Sequence, residues 1–104
     1  MLLRRIVHGV ITVAGLASSM PAIASKDLAI RSVCMGCHQV ERKVVGPAFR
    51  DIAARYAPAD EAKLVEKVMQ GGGGAWGIVP MPPQAALKPE DARTLVRWIL
   101  AGAK

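Results

Sequence analysis

The chain has 104 residues, of which 52% are hydrophobic and 4% aromatic. Its 14 lysines and arginines exceed its 8 aspartates and glutamates, which gives a formal net charge of +6 at pH 7. This length leaves room for one small domain. The basic residues are dispersed along the chain, so they do not form the clustered patch that is typical of nucleic-acid-binding proteins.

The first two dozen residues have the pattern of an export signal. Two arginines precede a short apolar run over residues 10–16, and small residues flank Ile23 up to Ala24. We therefore predict a cleaved signal peptide over residues 1–24 and a single domain over residues 25–104. The alternative is a membrane anchor, which needs about 18 apolar residues, more than this run provides. Paired arginines also occur in twin-arginine signals, although any charged leader carries such residues.

Residues 33–39 read VCMGCHQ and combine two cysteines, three residues apart, with a histidine. On a helical turn Cys34 and Cys37 point the same way, so both thiols can form thioethers with the vinyl groups of one haem. His38 then lies beneath the iron as an axial ligand. Haem is attached to such motifs outside the cytoplasm, which agrees with the export signal. We therefore predict one covalently bound haem c per chain.

Two other uses of this motif fit the chain less well. A structural zinc site needs four cysteine or histidine ligands, whereas the predicted domain holds three, because His8 belongs to the leader. A thioredoxin-like disulfide also uses Cys-x-x-Cys, but it belongs to a βαβ fold, and no segment here alternates as strands do. A haem would also supply the centre of a core that about 80 residues build only marginally by themselves.

The rest of the predicted domain has helical periodicity. The predicted helices cover Lys26 to about His38, Ala48 to Tyr56, Asp60 to Gln70, and a last segment from Pro89 to about Gly102. Their apolar positions are Leu28, Ile30 and Val33, then Phe49, Ile52, Ala53 and Tyr56, then Leu64, Val65 and Val68, and finally Ala92, Leu95, Val96 and Ile99. We predict an all-α fold of three to four short helices around the haem, with one long loop over residues 71–88.

Two methionines are candidates for the sixth iron position, Met69 and Met81, because Met35 lies between the cysteines and no second histidine remains. Met69 sits near a helix end beside apolar residues, where methionine commonly fills a core. Met81 lies in VPMPPQ, whose three prolines stiffen the loop that presents the thioether. We predict His38 and Met81 as axial ligands, with Met69 or an open site as the alternatives.

Three segments, CMGCHQVERKVVGPAF, GGGGAWGIVPMPPQ and ARTLVRWIL, together resemble the short bacterial class I cytochromes c of the cytochrome c-551 group. The resemblance implies that Met81 is the distal ligand and that the Pro47 carbonyl accepts a hydrogen bond from His38. It also implies that Trp76 donates to a haem propionate, although a tryptophan among glycines fits a packing role too. One departure is Ala29, where the family often has phenylalanine, and it leaves open how tightly the first and last helices pack.

A histidine and a methionine close both axial positions, so the haem can pass single electrons through its edge while no substrate reaches the iron. We therefore predict an exported, periplasmic electron carrier rather than an enzyme. We expect a monomer with no stable membrane anchor and no nucleic-acid partner. The resemblance implies a membrane cytochrome complex as donor and a terminal reductase or oxidase as acceptor. An enzyme or a gas sensor is the alternative, and either needs an open or displaceable sixth position.

The charge of the predicted domain suggests the character of its partner. Of the 14 basic residues, 2 lie in the leader, so 12 face 8 acidic residues and the formal charge is +4. Arg42 and Lys43 are the one adjacent basic pair in residues 25–104 and follow the haem motif closely. We expect this pair to border the haem edge and to attract an acidic protein, although an ordinary solvated surface has a similar basic excess.

Overall fold

The computed structural model describes residue 9 and residues 22–104. Its helices, in chain order, are α1 (Ala22–Arg31), α2 (Phe49–Arg55), α3 (Glu61–Gln70) and α4 (Pro89–Leu100). Short 3-10 turns cover Cys34–Gly36 and Pro58–Asp60. Within the described residues, extended backbone pairs only at two isolated bridges. The predicted all-α fold is therefore confirmed.

α4 is the helix against which the other three pack. It begins at Pro89, where a missing amide proton costs nothing, and Glu90 and Asp91 lie at the positive end of the helix. Its buried residues are Ala92, Leu95, Val96 and Trp98. Because three of these match the predicted apolar stripe, the helical periodicity of this segment correctly indicated which face is buried.

The hydrophobic core is a small cluster shared by α1, α2 and α4. Its members are Leu28, Ala29, Phe49, Leu95, Trp98 and Ala103. The rings of Phe49 and Trp98 meet edge to face with their centroids 5.7 Å apart, and the indole of Trp98 donates a hydrogen bond to the carbonyl of Lys104. Ala29 is completely buried. A small side chain thus fits the space between α1 and α4, and the two helices pack directly.

The first helix differs from its prediction at both ends. α1 begins at Ala22 and ends at Arg31 instead of continuing to His38. Val33 lies in the left-handed region, with φ 63° and ψ 14°, a conformation that an α-helix of L-residues does not contain. The haem motif therefore lies in a separate 3-10 turn. Ile30 and Val33 are 53% and 73% exposed, so these two apolar residues do not join the core.

α3 contributes no fully buried side chain, although its sequence is amphipathic. It ends at Gly71, whose φ of 71° stops the helix, as the sequence predicts. The predicted leader, residues 1–24, lies almost entirely outside the described residues, so its cleavage stays a prediction. Among residues 22–104, no helix is both long enough and apolar enough to cross a membrane.

Candidate functional site

The haem motif forms a tight turn at the edge of a cavity. The amides of Cys37 and His38 both donate to the carbonyl of Cys34, over 3.2 and 2.9 Å. This turn holds the two half-buried cysteines beside the same cavity, and their thiols are not joined to each other. Burial raises the pKa of the Cys34 thiol above its ordinary value.

His38 is buried and held on three sides. Its Nδ1 lies 2.7 Å from the carbonyl oxygen of Pro47, and its ring stacks on Phe49 at a centroid distance of 5.2 Å. A carbonyl oxygen only accepts hydrogen bonds, so Nδ1 carries the proton and the Nε2 lone pair can bind a metal. Gly46 forms the third side, where a Cβ atom would overlap the imidazole ring.

The segment between His38 and α2 folds back onto the motif. The amides of Val45 and Gly46 both donate to the carbonyl of Cys37, over 3.2 and 2.8 Å. An isolated bridge joins His38 to Lys43. These backbone contacts bring the Pro47 carbonyl to the imidazole, so the hydrogen bond to Nδ1 is a product of the local chain path.

Met81 is fixed by its own backbone. Its amide donates to the carbonyl of Gly72 and its carbonyl accepts from the amide of Gly72, both over 2.9 Å. The amide of Gln84 donates to the carbonyl of Val68 at 3.1 Å, which ties the following residues to α3. The side chain of Met81 is half-buried and lines the same cavity as the haem motif, whereas Met69 does not line it.

Trp76 lies on the loop between α3 and Met81, at another wall of this cavity. It is 39% exposed and meets the ring of Tyr56 edge to face, with centroids 6.4 Å apart. The guanidinium of Arg55 lies 4.6 Å from the Trp76 ring centroid. The indole therefore has an aromatic and a cationic neighbour, and both of these side chains also line the cavity.

The cavity itself encloses about 700 Å³. Apolar side chains from three helices line it: Ile52 from α2, Leu64 and Val68 from α3, and Leu95, Val96 and Ile99 from α4. Four basic side chains also border it: Lys43, Arg55, Lys63 and Lys67. An apolar interior with a basic margin suits a flat hydrophobic ring that carries carboxylates, and the volume lies within the range of cofactor sites.

The donor set agrees with haem as well. The structure brings together all six residues that the sequence analysis singled out, since Cys34, Cys37, His38, Pro47, Trp76 and Met81 all line this cavity. Two thiols can anchor vinyl groups, one imidazole offers Nε2, and one thioether lies on a loop fixed by its own hydrogen bonds. The residues present therefore fit a covalently attached haem.

Comparison with known proteins decides the family. The cytochrome c family matches residues 22–103. The chain belongs to the cytochrome c family. It is 51% identical over 81 residues to cytochrome c-552 of Nitrosomonas europaea, which covers 76% of this chain and 79% of that protein. It is equally 51% identical over 81 residues to cytochrome c-551 of Allochromatium vinosum, which covers 76% of this chain and 86% of that protein.

A solved structure supports the same conclusion. The crystal structure of wild-type Nitrosomonas europaea cytochrome c552 superposes with a TM-score of 0.71 at 48% sequence identity, and covers 76% of this chain and 99% of that one. The predicted resemblance to bacterial class I cytochromes c is therefore confirmed. As a cytochrome c of the c-551/c-552 type, the chain binds one haem c covalently through Cys34 and Cys37 and acts as an electron carrier, not as an enzyme.

Sequence reasoning missed several residues that shape this cytochrome c site. Gly46 and Gly71 make room for the His38 ring and the Met81 backbone, and Arg55 contacts the loop of Trp76. The glycine runs signal an unusual backbone, but they do not name the partner that approaches each glycine. The contact of Arg55 spans 20 residues of sequence, and no local pattern indicates it.

Proposed function

We propose that this cytochrome c carries single electrons in the periplasm, with His38 and Met81 as the two axial ligands of its haem iron. One observation carries the proposal: both side chains line a single apolar cavity together with Cys34 and Cys37. When bound, the haem supplies an iron that exchanges one electron at a time. The chain supplies the attachment, the ligands and the surroundings that set the reduction potential.

The environment of His38 suits a permanent ligand. The hydrogen bond from Nδ1 to the Pro47 carbonyl fixes the tautomer and the ring orientation and makes the imidazole a stronger donor. Stacking on buried Phe49 restrains ring rotation. A ligand held in this way keeps its geometry in both oxidation states, which lowers the reorganisation needed for electron transfer.

Met81 suits the distal position better than the two other methionines of the predicted domain. Met69 lies on α3 but does not line the cavity, and Met35 packs against the hydrophobic core. Met81 lines the cavity, and the paired hydrogen bonds to Gly72 restrain its backbone. A thioether ligand favours reduced iron relative to a second imidazole, which suits a carrier of fairly high potential.

Two bound axial ligands leave no position on the iron for a substrate or a gas. With both positions filled, the bound haem would supply one-electron exchange at its edge, and no side chain would need to act as an acid, a base or a nucleophile. An enzyme or a gas sensor built on this chain would need Met81 to be absent from the iron or readily displaced. The hydrogen-bonded bridge at Gly72 argues against easy displacement.

The periplasmic location rests on the predicted leader. Residues 1–24 combine a basic start, a short apolar run and small residues before the proposed cut after Ala24. Covalent attachment of haem to Cys-x-x-Cys-His outside the bacterial cytoplasm requires such export. The cleaved chain begins at Ser25 and folds as one domain over residues 25–104.

The partners we propose are a membrane cytochrome complex as donor and a terminal reductase or oxidase as acceptor. The formal charge of +4 on residues 25–104 favours an acidic docking surface on at least one of them. Arg42 and Lys43 are both exposed, and Lys43 borders the haem cavity. We propose that this pair guides an acidic protein to the haem edge.

The wild-type protein, purified from a periplasmic fraction, tests the proposal. We expect an intact mass equal to residues 25–104 plus one haem, and colour that acidified organic solvent does not extract. Carbon monoxide added to the reduced protein should leave its visible spectrum unchanged, because both axial positions are filled. A carbon monoxide complex formed at native pH would refute the closed site, and a mass that retains residues 1–24 would refute the cleavage.

A further inference from the structure

Arg55 is the last residue of α2 and makes two contacts with the loop that carries Trp76. Its Nη1 donates to the carbonyl of Ala75 at 2.6 Å, and its Cζ lies 4.6 Å from the Trp76 ring centroid. The same guanidinium lies 5.5 Å from the ring centroid of the adjacent Tyr56. One side chain thus joins the end of a helix to a tryptophan and to the backbone beside it.

Apart from Arg55, the loop around Trp76 is restrained by the ring of Tyr56 and by one hydrogen bond of its own, from the Gly74 amide to the Gly77 carbonyl at 3.0 Å. Gly73 and Gly74 precede it and Gly77 follows it, and Gly74 and Gly77 both have positive φ angles. A Cβ atom on Gly74 or Gly77 would meet no other atom within 4 Å, so the backbone there is not packed. Glycine loses the most conformational freedom on folding, so such a loop needs contacts from outside to stay in one conformation.

We infer that Arg55 is a positioning residue that holds Trp76 in the wall of the haem cavity. A guanidinium is planar, so it can stack on the indole face while its edge donates to the Ala75 carbonyl. An ammonium group lacks this combination. The inference rests on the proposed haem site in one respect: the benefit to the protein is a fixed indole N–H, which we propose donates to a haem propionate as the family resemblance implies.

Lys63 offers a matched control. Its Nζ lies 5.8 Å from the Tyr56 ring centroid and its side chain borders the same cavity, so it brings the same charge to the same wall. No contact joins it to Trp76 among the cation–aromatic pairs and hydrogen bonds of residues 22–104. Removing Lys63 therefore changes the local charge and the Tyr56 environment without removing a restraint on the indole.

The test compares Arg55→Met, Arg55→Lys and Lys63→Met with the wild-type protein, each reduced and haem-loaded, by NMR. The first readout is the cross-relaxation between the rings of Tyr56 and Trp76, which does not depend on any haem contact. The second is hydrogen exchange of the Trp76 indole N–H. For Arg55→Met we expect weaker ring–ring cross-relaxation and indole exchange about 5- to 30-fold faster, since a cation–aromatic contact plus a hydrogen bond is lost.

Arg55→Lys should give an intermediate result, because it keeps the charge but not the planar stack, and Lys63→Met should match the wild type. Amide exchange in α4 should be the same in all four proteins, which separates a local restraint from a loss of global stability. Unchanged ring–ring cross-relaxation in Arg55→Met would overturn the inference, as would an equal effect of Lys63→Met. Rapid indole exchange in the wild type with intact ring–ring contacts would refute the contact of Trp76 with a haem propionate and leave the role of Arg55 standing.

Discussion

The Nδ1 atom of His38 lies 2.7 Å from the carbonyl oxygen of Pro47, nine residues further along the chain. The contact depends on the fold-back of residues 43–46, in which the Gly46 amide donates to the carbonyl of Cys37. One local unit therefore contains the proximal ligand His38, the turn that anchors the haem, and Pro47, which orients the imidazole. Its stiffness determines how firmly the imidazole is held.

Replacing Pro47 with alanine should raise the reduction potential. The substitution keeps the carbonyl but releases the fixed φ of proline, so the hydrogen bond to His38 weakens and the imidazole becomes a poorer donor to oxidised iron. We expect a shift on the order of 20–60 mV, where about 59 mV is a tenfold change for a one-electron couple. Potentiometric titration measures it. The control is Pro58→Ala, because Pro58 does not line the haem cavity. A lower reduction potential in Pro47→Ala than in the wild type would contradict the account.

Gly71→Ala should weaken the bond between Met81 and the iron. Gly71 has a φ of 71°, and a Cβ atom there would overlap the carbonyl oxygen of Met81. The loop must shift, and the sulfur with it, so the sulfur-to-iron charge-transfer band of the oxidised protein should lose intensity.

Gly74→Ala separates this displacement from simple backbone strain. Gly74 has a φ of 96°, but a Cβ atom there meets nothing within 4 Å. Alanine at either position costs about 1–3 kcal/mol, because both residues have a positive φ that strains the backbone of an L-residue. Only the Gly71 variant should also change the charge-transfer band. Equal spectra for the two variants would show that close packing at Gly71 does not hold Met81 in place.

Val33→Gly should stabilise the protein. Val33 is β-branched, lies in the left-handed region and is 73% exposed, so its side chain strains the backbone and contributes little to packing. Removing the backbone strain should raise the free energy of unfolding by about 1–2 kcal/mol. The greater conformational entropy of glycine in the unfolded chain offsets about 0.5–1 kcal/mol of this, so the net stabilisation is roughly 0.5–1 kcal/mol. Ile30→Gly, in the right-handed backbone of α1, should instead destabilise. Denaturant titration of the two haem-loaded variants measures both changes, and destabilisation by Val33→Gly would contradict the strain argument.

Reversing the charge of Arg42 and Lys43 to glutamate should slow electron transfer to an acidic protein partner at low ionic strength. The two side chains are exposed and Lys43 borders the cavity, whereas Lys88 and Arg93 on the α4 side do not. The effect should fade as salt rises, because the screening length falls to about 8 Å near physiological ionic strength. Stopped-flow kinetics measures the rate of electron transfer. The control is a variant in which Lys88 and Arg93 are both replaced by glutamate. Equal rates for the two double variants would show that Arg42 and Lys43 do not steer the partner and are ordinary solvated residues.

The local signals of the sequence predicted much of this molecule. Pro89 with its acidic followers indicated the start of α4, and Gly71 the end of α3, because these residues act on the backbone next to them. The end of α1 could not be predicted in the same way. A β-branched residue rarely adopts the left-handed conformation, so the identity of Val33 does not indicate that the helix stops before it.

The same distinction between local sequence signals and long-range contacts applies to the candidate site. The haem motif and the proline-flanked Met81 are local patterns with a direct chemical meaning, so the sequence alone named them. Other parts of the site are contacts between different segments of the chain. They are the contact of Gly46 with His38, the pairing of Gly72 with Met81, and the hydrogen bond of Arg55 to Ala75. They depend on where the folded chain places each segment, and composition and periodicity do not contain that information.

The measurement that tests the central claim most directly is the visible spectrum of Met81→Ala, with Met69→Ala beside it. Met81 lines the haem cavity and Met69 does not, although both are half-buried methionines. We predict that Met81→Ala loses the sulfur-to-iron charge-transfer band and binds carbon monoxide when reduced. Met69→Ala should keep the band and lose only about 1–2 kcal/mol of stability, since its side chain is partly exposed. An intact band in Met81→Ala, or its loss in Met69→Ala, would contradict the proposed ligation.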